Sequence, residues 1–281
     1  MNPTRQDNLV LCNATLVGGA IEITGEQFKS IIDATADAGF TGASLWAFHH
    51  MAALADGVSS DQIRAWHADR GISVPIVESL IGWEGGDAAL IEQQCGPIFD
   101  VATLYEAKTV AGVVLASEVN FDAAATGLAE LARMAHERGL DVCIEWLPWT
   151  GLPDLKSAWK LIQDAGAENL GLVVDAWHWL RQPGGPDEAT LRSIPGERIH
   201  CVQLDDTTAV GTGDDPMMES MTNRQLPGEG DVDWPTLLGI FDEIGADPIW
   251  APEVFNLQLL DEGATEMARR IHDSTCRVLG I

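Results

Sequence analysis

The stretch NLGLVVDAWHWLRQ, Asn169–Gln182, decides how this chain is read. Leu170, Leu172, Val173 and Val174 form an apolar run without strict alternation, as expected of a strand covered on both faces in a parallel sheet. The run ends at Asp175, and three residues later His178 stands between Trp177 and Trp179. Parallel strands need long crossovers, so the rest of the chain should alternate similar runs with helices.

It does so eight times. The strand candidates are Leu9–Leu16, Thr41–Phe48, Ile72–Ser79, Thr109–Ala116, Leu140–Leu147, Asn169–Trp177, Arg198–Asp206 and Asp247–Phe255. Between them, TGEQFKSIIDATADAG carries the capping box Thr24-x-x-Gln27, and SSDQIRAWHADRG closes on Gly71. FDAAATGLAELARMAHERG and VDWPTLLGIFDEIG also finish on glycine before the next strand. Eight such repeats predict an α/β fold of the (β/α)8 TIM-barrel class. No linker or low-complexity tract divides residues 1–281, so they read as a single domain. A doubly wound open sheet is the rival, but no G-x-G-x-x-G follows the first strand and no Walker A motif occurs. The longest irregular stretch, residues 207–231, is long enough for a lid.

Composition narrows the partners. The 16 Lys and Arg against 43 Asp and Glu give a net charge of −27, which repels phosphate backbones and anionic membrane surfaces. Nucleic acid and membranes are therefore not expected partners. The five cysteines form no C-x-x-C pair, and Cys12, Cys143 and Cys201 lie in apolar runs, as small buried residues do. With no secretory h-region at the start and no long apolar run, a reducing, cytoplasmic setting is expected. Nothing in the sequence decides between a monomer and a homo-oligomer.

In a barrel, the C-terminal strand ends form the active-site mouth. The strand readings put Glu145 at the end of strand five, Asp175 of strand six, Gln203 of strand seven and Glu253 of strand eight. Like charges about 5 Å apart repel by roughly 3 kcal/mol at an effective dielectric of 20, and a divalent cation turns that repulsion into ligation. An oxygen-only set favours Mn²⁺ or Mg²⁺, with Zn²⁺ or Co²⁺ as alternatives. Each residue also has a bland reading: Asp175 as a helix cap, His178 as a core histidine, Gln203 as a hydrogen-bonding partner of a neighbouring strand. Arg224 either binds an anionic substrate or balances Asp214, Asp215 and Glu219 in its loop. His49 and His50 follow strand two, where one of an adjacent pair is expected to face solvent; Glu78 and Glu118 near strands three and four are ambiguous. Trp46 and Trp149, beyond strand ends, suit the C–H faces of a ring-shaped substrate.

IEWLP, VVDAWH, VQLDD, RQLPGEGDVDWPTLL and PEVFN, in this order and spacing, resemble the xylose-isomerase-like TIM-barrel superfamily of sugar isomerases, epimerases and related lyases. The resemblance implies metal ligation by Glu145, Asp175, Gln203 and Glu253, with the two glutamates also acting as catalytic acid and base. It further implies substrate contacts from His178 and a supporting role for Asp206 behind the ligands. Sugar isomerases of this group usually carry His where this chain has Gln203. Gln there, with Glu145, Leu147 and Trp149 in an E-x-L-x-W pattern, is similar to the 3-dehydroshikimate dehydratase branch. The expected function is metal-dependent isomerisation or epimerisation of a small polyhydroxy carbonyl compound, a sugar or cyclic polyol ketone, through an enediolate. Dehydration of the 3-dehydroshikimate or inosose type is the second reading, and a non-catalytic sugar-binding barrel the third.

Overall fold

The computed structural model describes residues 3–213 and 215–281. Among these, eight strands alternate with helices: β1 Leu11–Cys12, β2 Gly42–Trp46, β3 Ser73–Leu80, β4 Thr109–Val113, β5 Asp141–Glu145, β6 Leu170–Asp175, β7 Ile199–Gln203 and β8 Ile249–Trp250. They belong to one sheet in the order β1 to β8. Short additional helices flank the basic repeat, among them Ala47–Ala55, Ala176–Arg181 and Leu257–Leu260.

The chain forms two compact units that alternate along the sequence. One comprises Met1–Pro75, Gln203–Val232 and Ile249–Ile281, the other Ile76–Val202 and Asp233–Pro248. In the second unit, β4 pairs in parallel with β5 from Thr109↔Asp141 to Val113↔Glu145, and β5 with β6 from Val142↔Leu170 to Ile144↔Leu172. All six residues of β6 are buried, which explains its unbroken apolar run. In the first unit, β1 pairs in parallel with β2, and a parallel bridge joins Leu9 to Trp250.

The helix starts follow the capping chemistry of the sequence. Thr24 Oγ1 accepts from the Gln27 amide at 3.1 Å while Gln27 Oε1 accepts from the Thr24 amide at 2.9 Å, a complete capping box. Gly71 and Gly245 end their helices in the left-handed region.

Two strand readings require correction. The run Leu9–Leu16 yields only Leu11–Cys12 as strand, because the chain turns into a 3-10 helix, Asn13–Val17, that closes on left-handed Gly18. The run Asp247–Phe255 yields only Ile249–Trp250, and Glu253 lies three residues beyond the strand. Pro252 has no N–H for the ladder, although its carbonyl still accepts from the Cys12 amide at 3.2 Å. The stretch 207–231 is not wholly irregular, since it contains the helix Pro216–Thr222.

None of the five cysteines forms a disulfide, and four of them are buried. Burial pushes the Cys95 thiol up to about 12, so it is inert at neutral pH. No helix among the described residues is long and apolar enough to cross a membrane.

Close packing in the second unit supplies a stability prediction. Gly127 lies inside the helix Phe121–His136, and a Cβ there would stand 1.9 Å from the Trp83 carbonyl oxygen. The fully buried Trp83, whose Nε1 donates to Val113 O at 3.1 Å, cannot retreat cheaply. Gly127→Ala should therefore lose about 1–3 kcal/mol to overpacking, more than the ~1 kcal/mol gained in helix propensity. A lowered urea midpoint checks this, and a raised one would contradict it.

Candidate metal centre

Adjacent parallel strands β5 and β6 carry Glu145 and Asp175 as their last residues. The short helix Ala176–Arg181 begins at Asp175, whose Oδ1 accepts from the His178 amide at 2.8 Å. The bland reading of Asp175 as a helix cap is thus correct, and the cap also aims the His178 side chain. His178 Nε2 lies 3.0 Å from Glu145 Oε1, and its Nδ1 lies 3.9 Å from Asp175 Oδ1. One ligand atom from each of Glu145, Asp175 and His178 falls within 4.8 Å of the others, and all three residues are buried. Two carboxylates so placed demand compensating positive charge, which a divalent cation or a protonated imidazole supplies. Two carboxylates and one imidazole fit a divalent cation.

His178 therefore joins the candidate ligands, a place its sequence reading as a substrate contact had not given it. The donor set is no longer oxygen-only, which brings Zn²⁺ and Co²⁺ level with Mn²⁺ and Mg²⁺. Trp149, half-buried, packs edge-on to His178 at 5.3 Å and to Trp177 at 5.8 Å. Its contacts in this unit are thus with the imidazole and the neighbouring indole.

The first unit holds the other predicted residues. Gln203 ends β7 and is buried. Glu253 is buried on irregular backbone, its amide donating to Leu204 O at 3.1 Å. The Cys12 thiol donates to Glu253 Oε1 at 3.1 Å, and Arg224 Nη1 lies 3.2 Å from Glu253 Oε2. Arg224 is only 2% exposed and also pairs with the buried Asp205. It thus pairs with Glu253 and Asp205. In its loop, Asp215 caps the helix Pro216–Thr222, Glu219 accepts from the Thr212 amide at 3.3 Å, and Asp214 lies outside the described residues.

Asp206 fastens the base of the loop. Its carboxylate accepts from the amides of Thr207, Gly228 and Val232, and its backbone bridges Gln225. Residues 228–230, the GEG within RQLPGEGDVDWPTLL, form a turn held to Asp206 by the Gly228 amide. Trp46 is half-buried, its amide donating to Asn13 Oδ1 at 3.0 Å and its ring 5.9 Å from that of Phe255.

Neither His49 nor His50 faces solvent; both are buried. His49 is held between Ala20 O at 2.7 Å and Asn13 Nδ2 at 3.1 Å, while His50 Nε2 lies 3.3 Å from Ser60 Oγ. Burial pulls both imidazoles below their ordinary value, that of His50 to about 4, so both are neutral near pH 7. Glu78 is buried in β3 and Glu118 is exposed.

Sequence reasoning missed Cys12 and Asp205. Cys12 reads as a small buried hydrophobe, yet its place at the C-terminal end of β1 is the signal that marks it. Asp205 is masked by its neighbour Asp206.

A family model described as xylose isomerase-like TIM barrel matches residues 32–273. Over 235 residues the chain is 29% identical to a 3-dehydroshikimate dehydratase of Pseudomonas aeruginosa, covering 80% of this chain and 36% of the relative. Over 150 residues it is 25% identical to an inosose isomerase of Bacillus velezensis, covering 53% and 51%. The chain thus spans about a third of the length of the dehydratase, and the isomerase match about half of that relative. Among solved structures, the IolI protein with a bound zinc atom superposes with a TM-score of 0.83 at 18% identity, covering 97% of this chain and 98% of that one, which shows a common fold.

Proposed function

The chain belongs to the xylose isomerase-like TIM-barrel family, and from that premise we propose that it is a divalent-metal-dependent enzyme that removes a proton next to the carbonyl of a small polyhydroxy compound. The carrying observation is the buried cluster of Glu145, Asp175 and His178. These three residues would hold the cation, and the sequence resemblance adds Gln203 and Glu253 to the ligands. When bound, a divalent cation supplies Lewis-acid polarisation of a carbonyl oxygen.

The protein's own groups do the rest. Glu145 takes the proton, its carboxylate oriented through Oε1 by His178 Nε2 at 3.0 Å. Trp149 packs against the imidazole, which is itself buried. Glu253 is the second proton-moving carboxylate. Return of a proton on the opposite face gives an epimer, and return at the adjacent carbon gives an isomer. We rank these outcomes first because Arg224 is turned to Asp205 and Glu253, which favours an uncharged sugar or cyclic polyol ketone over a carboxylate substrate.

A second reading, dehydration by loss of a β-hydroxyl from the same enolate, is favoured by Gln203 and by the likeness to 3-dehydroshikimate dehydratase over 80% of the chain. Incubation in D₂O with ketoses, inososes and 3-dehydroshikimate, followed by NMR, separates the two. Solvent deuterium is expected next to the carbonyl of a ketose or inosose. An aromatic product from 3-dehydroshikimate, with no exchange into the others, would reverse the order.

A further inference from the structure

Glu253 lies three residues past the end of β8, its amide bonded to Leu204 O, and donors flank both of its carboxylate oxygens. The Cys12 thiol reaches Oε1 from the end of β1 at 3.1 Å, and Arg224 Nη1 lies 3.2 Å from Oε2. Arg224 Nη1 also donates to the Glu253 carbonyl at 3.1 Å and pairs with Asp205 just past β7. The rest of the guanidinium faces the loop: Nε donates to Ser220 O at 2.9 Å and Nη2 to Ser220 Oγ at 3.0 Å, on the helix Pro216–Thr222. The Arg224 backbone donates to Phe255 O at 2.9 Å and accepts from Asn256 Nδ2 at 2.7 Å, so the residue is fixed at both ends.

A guanidinium is a rigid planar fork, and one face of it cannot move without the other. Any displacement of Ser220 therefore pulls on the group that aims Glu253. We propose that Arg224 is a positioning residue that couples the 207–231 loop to the orientation of Glu253, with Cys12 as the opposing stop on the second oxygen. The proposal rests on the role given above to Glu253 as a proton-moving carboxylate. It sets aside the reading of Arg224 as an anion-binding group for the substrate.

The test combines steady-state kinetics with hydrogen–deuterium exchange of the 207–231 segment, followed by mass spectrometry. Arg224→Met should lower kcat about 10²-fold, the scale of a misplaced catalytic group, while KM stays within about three-fold and amides of residues 216–222 exchange faster. Arg224→Lys keeps a cation between Asp205 and Glu253 and so secures a folded variant; it should recover part of kcat but not the slow exchange, because an ammonium lacks the fork. Cys12→Val should lose kcat without loosening the loop, and Cys12→Ser, which retains a donor, should recover part of that loss.

A raised KM at unchanged kcat in Arg224→Met would make Arg224 a substrate-binding group and overturn the proposal. So would a fall in kcat with wild-type exchange at 216–222, which would remove the coupling. If the wild type turns over no compound, the proposed function fails by itself. The exchange comparison then still decides the clamp, and unchanged exchange in both Arg224 variants would refute it.

Discussion

Glu253→Gln is expected to lose about 10²-fold or more in kcat while retaining most of its metal. Glutamine keeps a ligand oxygen and nearly the same shape but can neither take up nor deliver a proton, so the loss falls on the proton-transfer step. The amide oxygen can accept from only one of the two donors, the Cys12 thiol or Arg224 Nη1, so the shape is kept while part of the grip on the side chain is lost. Glu145→Gln, at the opposing proton-moving carboxylate, should behave in the same way with one difference. Its neutral side chain leaves the buried His178 without the carboxylate that lies 3.0 Å from Nε2, so some loss of metal accompanies the loss of turnover. His178→Ala should raise KM and lower kcat together, because it removes both a candidate ligand and the group that orients Glu145. Metal content measured beside kcat for the three variants assigns the roles, and a Glu253→Gln enzyme that holds metal and runs at the wild-type rate excludes that residue as acid or base.

Metal removal should have the second large effect. Dialysis against a chelator is expected to abolish turnover, and one of Mn²⁺, Mg²⁺, Co²⁺ or Zn²⁺ should restore it. Stability should fall as well, since buried Glu145 and Asp175 are then left to repel each other across a cluster no wider than 4.8 Å between ligand atoms. A cation present at about 100 times its dissociation constant stabilises the native state by about 2.7 kcal/mol, so the holo protein should melt measurably higher than the apo protein. Equal melting temperatures with equal activity would show that the cluster holds no functional cation. Because His178 stands among the candidate ligands, the identity of the restoring metal also reports whether imidazole takes part: a clear preference for Zn²⁺ or Co²⁺ over Mg²⁺ favours it.

Much of this was legible in the sequence because burial on two faces leaves a plain trace. The runs that became β5, β6 and β7 are largely apolar, so a polar residue closing such a run stands out, as a helix cap, as a residue facing a site, or, at Asp175, as a candidate for both. Glu145, Asp175 and Gln203 were located at strand ends on that ground, and the structure has them there. Capping chemistry was equally readable at Thr24, because its partners lie three residues away and local geometry alone brings them together.

The ends of the first and last strands were not legible, because an apolar run records burial rather than ladder pairing. Ala14 is fully buried, yet it lies inside the 3-10 turn that Asn13 starts and not in a strand. At the other end of the sheet, Pro252 is buried as well but has no N–H to continue the ladder towards Glu253.

The alternation of strands and helices, the strand-end carboxylates and the excess of negative charge follow from the order of residues alone, because each depends on neighbours within a few positions or on composition. The partner that each buried charge takes does not; it was settled by tertiary packing. His178 Nε2 meets Glu145 on the neighbouring strand end, Arg224 pairs with Asp205 and Glu253, and the Cys12 thiol meets a carboxylate 241 positions along the chain. A buried ionisable group must be compensated, but a sequence states only the need. Which of many donors and acceptors meets it depends on distances of a few ångströms, and those exist only once the strands have set their register and the loops have closed upon them.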